Sequence, residues 1–252
     1  MIGLIRSEFR KLFSTKVWLW LLIGAAALAA GFASLTLGFA NNPESGLPRR
    51  DDPDLVPIAL SAATGAVVFV VILSIIGITQ EFRHRTATPT FLTTPRRARV
   101  IVAKLVTYVV AGAAYAIVTS LVVLAVAIPW INSSGGEVSL QGRNLSVLLG
   151  GALAVALYSL LGVGIGALVR NQVGAIVGVL VYLFVIEPII RGIPATDTYY
   201  RWLPGGAQEA LAATAQEGPD LLQRWQGGLL LIGYGLVSAG LAMALTLRRD
   251  VH

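Results

Sequence analysis

The chain of 252 residues contains no cysteine. It therefore has neither a disulfide framework nor a thiolate metal site, and its redox compartment is left open. Lysine is limited to Lys11, Lys16 and Lys104, none of which follows a glycine-rich turn. The G-x-x-x-x-G-K-[ST] pattern that cradles nucleotide phosphates is missing, so the chain is not expected to hold a nucleotide itself. The two histidines, His84 and His252, cannot form a helix-borne metal pair. Charge is scarce as well: Asp, Glu, Lys and Arg make up 13% against 56% hydrophobic residues, with a mean hydropathy of +0.75. That balance is far too apolar for a soluble core and belongs to a polytopic helical membrane protein. The net charge of +6 would suggest nucleic acid in a soluble protein. Here the basic residues lie between apolar runs, so lipid headgroups and topology explain them and no nucleic-acid partner is expected.

Six apolar runs are present, at about 17–37, 56–78, 105–128, 145–169, 173–190 and 228–247. At about 1.5 Å per residue each can cross a hydrocarbon layer of roughly 30 Å. None has a charge near its centre, where Arg, Lys or Asp would cost roughly 2.5–3.5 kcal/mol. Serines such as Ser61, Ser74 and Ser159 have no acid or base at depth to activate them, so intramembrane catalysis and ion-coupled transport are both disfavoured. Glu187, followed by Pro188, is the one acid within a span. It is expected near the end of its helix, reaching headgroups or water, with pairing to Arg191 as the alternative.

Residues 1–16 place Ile2, Ile5, Phe9, Leu12 and Phe13 at helical spacing with charges between them, which predicts an amphipathic helix in the interface. Residues 17–252 then form one transmembrane domain. The expected fold is an all-α membrane protein with six transmembrane helices, an N-terminal amphipathic interfacial helix and an extracellular helical hairpin before the last span. Thirteen of the 19 Lys and Arg fall on the side of the termini, the 80–104 connection and Arg170. The positive-inside rule puts that side, with both termini, in the cytoplasm of a plasma-membrane protein. The hairpin is expected within 191–226, from helix-like segments at 207–215 and 220–226. Spans four and five are joined only through Arg170, Asn171 and Gln172, which forces an antiparallel pair, and glycines 162, 164, 166, 174 and 178 are expected to let two backbones approach there.

The stretch Gln80–Lys104, QEFRHRTATPTFLTTPRRARVIVAK, is the longest that is neither apolar nor loop-like. Thr86 can cap a short helix with Pro89 in its first turn. Pro95 ends it, and Thr94 becomes the N-cap of a second helix that carries Arg96, Arg97, Arg99 and Lys104. A basic bend that presents Phe91 and Leu92 has the form of a docking knob.

These features together, from Glu81–Thr86 and TFLTTPRRARVIVAK to the GVGIGALVRNQ turn and the long last outer segment, resemble the ABC-2 type permeases. Those are the membrane subunits of type V ABC exporters, and the likeness is to the actinobacterial multidrug or antibiotic efflux kind. The resemblance implies that Thr86–Thr94 is the coupling helix, with Phe91 and Leu92 as its knob. Glu81, Arg83, Thr86, Arg96 and Arg97 would be contacts to an ATP-binding cassette subunit. Related sequences usually carry glycine before the threonine, where this chain has Arg85. Further implications are ATP and Mg held by the partner, no cofactor in this chain, no catalysis of its own, and a second permease, identical or homologous, among membrane lipids. The cargo would be hydrophobic or amphipathic, with Phe69, Tyr182, Phe184 and Glu187 along its pathway. Two rival readings are a membrane scaffold or immunity protein that recruits another soluble partner through 80–104, and a lipid-modifying enzyme that uses Asp51, Asp52 or Asp54.

Overall fold

An apolar segment in lipid must satisfy its backbone groups internally, and a helix does so within one segment. The computed structural model describes residues 1–83, 97–193, 195–212 and 221–249, and among these it has helices and no strands. Six are long and apolar enough to cross a membrane: Val17–Phe39, Leu55–Gln80, Arg99–Ser133, Gly142–Val169, Gln172–Gly192 and Arg224–Ala242. They are the six spans expected, with shifted ends. The third grows most, because its helix begins at Arg97 and continues through Pro129 to Ser133. The missing amide of Pro129 removes one bond in the last turns, too near the end to stop the helix. The second span is built in pieces, Leu55–Ser61, a 3-10 turn Ala62–Gly65 and Ala66–Arg83.

The fourth span is the hub, packed against the second, third and sixth spans and a short helix, Pro204–Ala212. Its glycines make this possible. A Cβ at Gly162 would lie 2.7 Å from the Val71 carbonyl oxygen, and one at Gly166 3.2 Å from the Ile75 Cα. Gly164, on another face, sits against Ser238 and Ala239 of the sixth span. The three glycines were expected to bring the fourth and fifth spans together. They serve other partners instead: residues 162 and 166 share one helix face, toward the second span, while 164 lies well round the helix from it.

The turn after the fourth span takes two residues. Arg170 has a φ of 55°, the left-handed conformation that ends a helix, and its N–H donates to the Gly166 carbonyl at 3.0 Å. Asn171 then caps the fifth span by accepting the Gly174 N–H at 2.9 Å. The fifth span returns as an α-helix over Gln172–Val181, a π turn over Tyr182–Ile186 and a last helix Glu187–Gly192. Pro188 explains the π turn, since it cannot donate to the carbonyl four residues before it. The Glu187 N–H reaches back five residues to the Tyr182 carbonyl.

Of the two segments expected to form a hairpin, 207–212 of the first is described as helix. Pro204–Ala212 is a helix with Ala207 and Ala212 fully buried. A Cβ at Gly150 would lie 2.9 Å from the Ala212 Cα, and one at Gly227 2.5 Å from the Ala207 carbonyl, so the arm packs between the fourth and sixth spans. Residues 224–226 of the second arm are the first turn of the sixth span's helix, Arg224–Arg249, and 213–220 lie outside the described residues.

Candidate functional site

The spans run alternately between two ends of the bundle, and the 84–96 connection leaves from one of them, called the base here. The N-terminal helix, Ile2–Ser14, lies at the base. Its packing face follows the expected stripe only in part, through Leu12 and the half-buried Ile5 and Phe9. Ile2 and Phe13 are exposed, whereas Glu8 and Leu12 are buried. Glu8 is only 5% exposed, and its two carboxylate oxygens take two lysines: Lys11 Nζ at 2.7 Å from one and Lys104 Nζ at 2.5 Å from the other. Lys104, 1% exposed at the start of the third span, also donates to the Gly77 carbonyl of the second span at 3.5 Å.

Gly77 is itself a crossing point, because any Cβ there would fall on the Tyr108 ring of the third span. The N-terminal helix and the second and third spans are thus joined at one place. Phe13 extends the joint to the first span by an edge-on contact with Trp18, ring centroids 5.1 Å apart, and the Tyr115 hydroxyl donates to the Trp18 carbonyl. Two charges this deep are held by each other. Breaking such a buried pair from one side costs up to about 3–5 kcal/mol, and without Lys104 the buried Glu8 would keep only the half-exposed Lys11.

The joint directly flanks the connection that the sequence marks for docking. Glu81 and Arg83 are in the last turn of the second span's helix, and Arg97 opens the third. Thr86, Phe91, Leu92 and Arg96 lie outside the described residues. The sequence reading passed over Glu8 and Lys104, counting them only for topology. The available signal was that Glu8 is the single acid in the first 16 residues and Lys104 the last charge before a long apolar run.

The residues expected along a pathway are not brought together. Phe69 packs between the first and second spans, where a Cβ on Gly24 would come 2.6 Å from its ring. Phe184 is 62% exposed on the outside of the fifth span. Tyr182 and Glu187 do meet, the phenol donating to the carboxylate at 3.3 Å.

Glu187 is buried and does not reach outward to water. Its Oε1 accepts the Gly205 N–H at 2.5 Å, so it caps the first turn of Pro204–Ala212 from another helix. Arg191 pairs with Glu209 at 2.5 Å instead, its guanidinium 5.4 Å from the Tyr200 ring centroid. Burial pushes the Glu209 carboxyl above its usual range, and Arg191 works against that push. Asp51 and Asp54 have arginine neighbours, Arg49 at 3.2 Å and Arg143 at 3.7 Å, and Asp52 accepts the Asp54 N–H. No group of three or more metal-ligating side chains occurs among the described residues.

A family model described as ABC-2 family transporter protein matches residues 4–186. The chain belongs to the ABC-2 transporter family. The match begins on the N-terminal helix, includes both members of the Glu8–Lys104 pair, and ends on the π turn of the fifth span. No curated protein matches the chain. As an ABC-2 family member with six apolar helices, it is a multi-pass membrane component of a transporter.

Proposed function

We propose that this chain is the permease subunit of an ATP-driven exporter, with ATP and Mg bound and ATP hydrolysed on a separate cassette subunit. The observation that carries the reading is the joint of Glu8, Lys104 and Gly77 beside the 84–96 connection, in a chain of the ABC-2 family. Thr86–Thr94 is the coupling helix, Phe91 and Leu92 its apolar knob, and Glu81, Arg83, Arg96 and Arg97 contacts at its entry and exit. The bend and both termini face the cytoplasm of the plasma membrane. One set of six spans makes half a pathway, so a second permease, identical or homologous, completes it.

In this mechanism the cassette subunits close on ATP and push on the bend. Because one buried ion pair and one helix crossing join the N-terminal helix to the second and third spans, the push moves these parts as one piece. The fifth span, the least buried of the six, changes its tilt against the second copy. The cargo is hydrophobic or amphipathic, in the class of drugs, antibiotics and lipid-like compounds.

The test is to extract the tagged chain gently from its own membrane, identify co-purifying proteins by mass spectrometry and assay ATP hydrolysis. A stoichiometric ATP-binding subunit with hydrolysis is expected. A lone chain, or a partner without nucleotide-binding motifs, overturns the reading in favour of a scaffold. Phe91→Asp should abolish ATP-dependent efflux while insertion and expression stay normal.

A further inference from the structure

A cleft of about 230 Å³ runs along the fifth span, inside a single chain. One wall is a stripe of that span, Gly174, Ala175, Gly178, Val179, Tyr182 and Leu183, whose spacing puts them on one helix face over roughly 14 Å. The facing wall comes from Tyr158, Leu161 and Ile165 of the fourth span, with Val71 of the second and Pro204 at one end. Among the described residues, no charged side chain lines it. Its shape is that of a chain, and its chemistry that of a hydrocarbon with two phenols.

The two phenols differ. Tyr182 already donates to Glu187. Tyr158 is 2% exposed, and its hydroxyl has no hydrogen-bond partner among the described residues. A buried O–H without an acceptor is rare and signals a group waiting for one. Gly178 supplies a second observation. A Cβ there would meet nothing within 4 Å, whereas the fourth span's glycines are pressed against neighbours. The missing side chain at Gly178 therefore keeps space open in the cleft, and helix packing does not account for it.

We propose that this cleft binds the aliphatic chain of a neutral amphiphile, with Tyr158 donating its hydroxyl hydrogen to an ester or similar oxygen on that molecule. The volume is below the roughly 300–1,000 Å³ typical of sites that enclose a drug-sized ligand, so the cleft takes part of a longer molecule and leaves the rest in the bilayer. The absence of charge in the walls excludes a bare ion or a charged headgroup from the cleft itself. The same chemistry is offered by a bilayer lipid and by an exported amphiphile. The binding claim needs only that the chain is embedded in a membrane, and it stands or falls apart from ATP-driven export.

The test uses a palmitic acid methyl ester that carries a photoactivatable diazirine on its chain, added to the lone chain held in a peptidisc, with the crosslinks mapped by peptide mass spectrometry. Crosslinks within 158–183 are expected. Gly178→Leu should remove them by filling the cleft without a clash, and Tyr158→Phe should weaken apparent affinity by about tenfold, the value of one hydrogen bond. Gly31→Leu, a substitution into open space on the first span, should leave them unchanged. Competition by excess bilayer phospholipid identifies the occupant as a lipid. Competition by single-chain esters alone identifies it as a free amphiphile. Crosslinks that survive Gly178→Leu and are equally strong in Tyr158→Phe, or that fall only outside the cleft, overturn the proposal. Because no cassette subunit takes part, a failure here leaves the export reading intact.

Discussion

The fourth and fifth spans are neighbours joined by a two-residue turn, with nearly equal mean hydropathy of 2.2 and 2.4, yet 67% of the fourth span's apolar window is buried and only 17% of the fifth's. Glycine is common to both and is used in opposite ways. On the fourth span it lets other helices press against the backbone; on the fifth, Gly178 leaves space. Hydropathy measures how well a helix tolerates lipid, and it is silent on which partner the helix finds. The comparison divides the protein into a tied body, the fourth span with the second, third and sixth and the N-terminal helix, and a loosely held fifth span. Bistable movement needs both kinds of part.

Four substitutions sharpen or break that division. The largest effect is expected from Lys104→Met, which takes away the buried partner of Glu8, leaves it only the half-exposed Lys11 and should cost about 3 kcal/mol, the low end for a broken buried pair, read as a sharp loss of thermal stability in detergent. Restoration of most of that loss by pairing it with Glu8→Leu would show that the stranded charge, and not the lost volume, is responsible. Gly162→Leu comes next. Its side chain must displace the backbone at Val71, and overpacking of this kind costs about 1–3 kcal/mol.

Glu187→Ala should cost about 0.5–2 kcal/mol, the range for a lost helix cap. Its mark should be local: faster amide hydrogen exchange in 204–212, with the base of the bundle unchanged. The smallest effect is expected from Gly178→Leu on the fifth span, within about 0.5 kcal/mol of the parent. If Gly178→Leu proved as damaging as Gly162→Leu, the fifth span would be as tightly held as the fourth and the division would fail.

Much of the architecture could be read from the amino acids. All six spans were visible, since about 20 apolar residues without a central charge have few alternatives in lipid. The antiparallel turn at Arg170 followed from its brevity. Pairing was much less legible. Glycine spacing announces that something packs closely, but which helix arrives depends on the arrangement of all six, so Gly162 and Gly166 were assigned to the wrong neighbour. Glu8 was hidden for a similar reason. An acid on a basic amphipathic helix looks solvated until a lysine 96 residues away is known to face it. Glu187 was correctly singled out as unusual, but its partner is a backbone amide, which no residue type announces. The docking residues of the 84–96 connection rest on sequence and family alone, since that segment lies outside the described residues.

The Glu8–Lys104 pair also sets an order of events during synthesis. The carboxylate leaves the ribosome 96 residues before the ammonium group that will neutralise it, roughly 5–20 seconds at ordinary elongation rates. During that interval the acid has only Lys11 of its own helix as a partner, which suits a helix resting at the water boundary and not one buried against the bundle. The pair can close only after the first two spans have been inserted and the third has begun. This contact of the first helix therefore forms late, across three helices that must already be in the membrane or entering it.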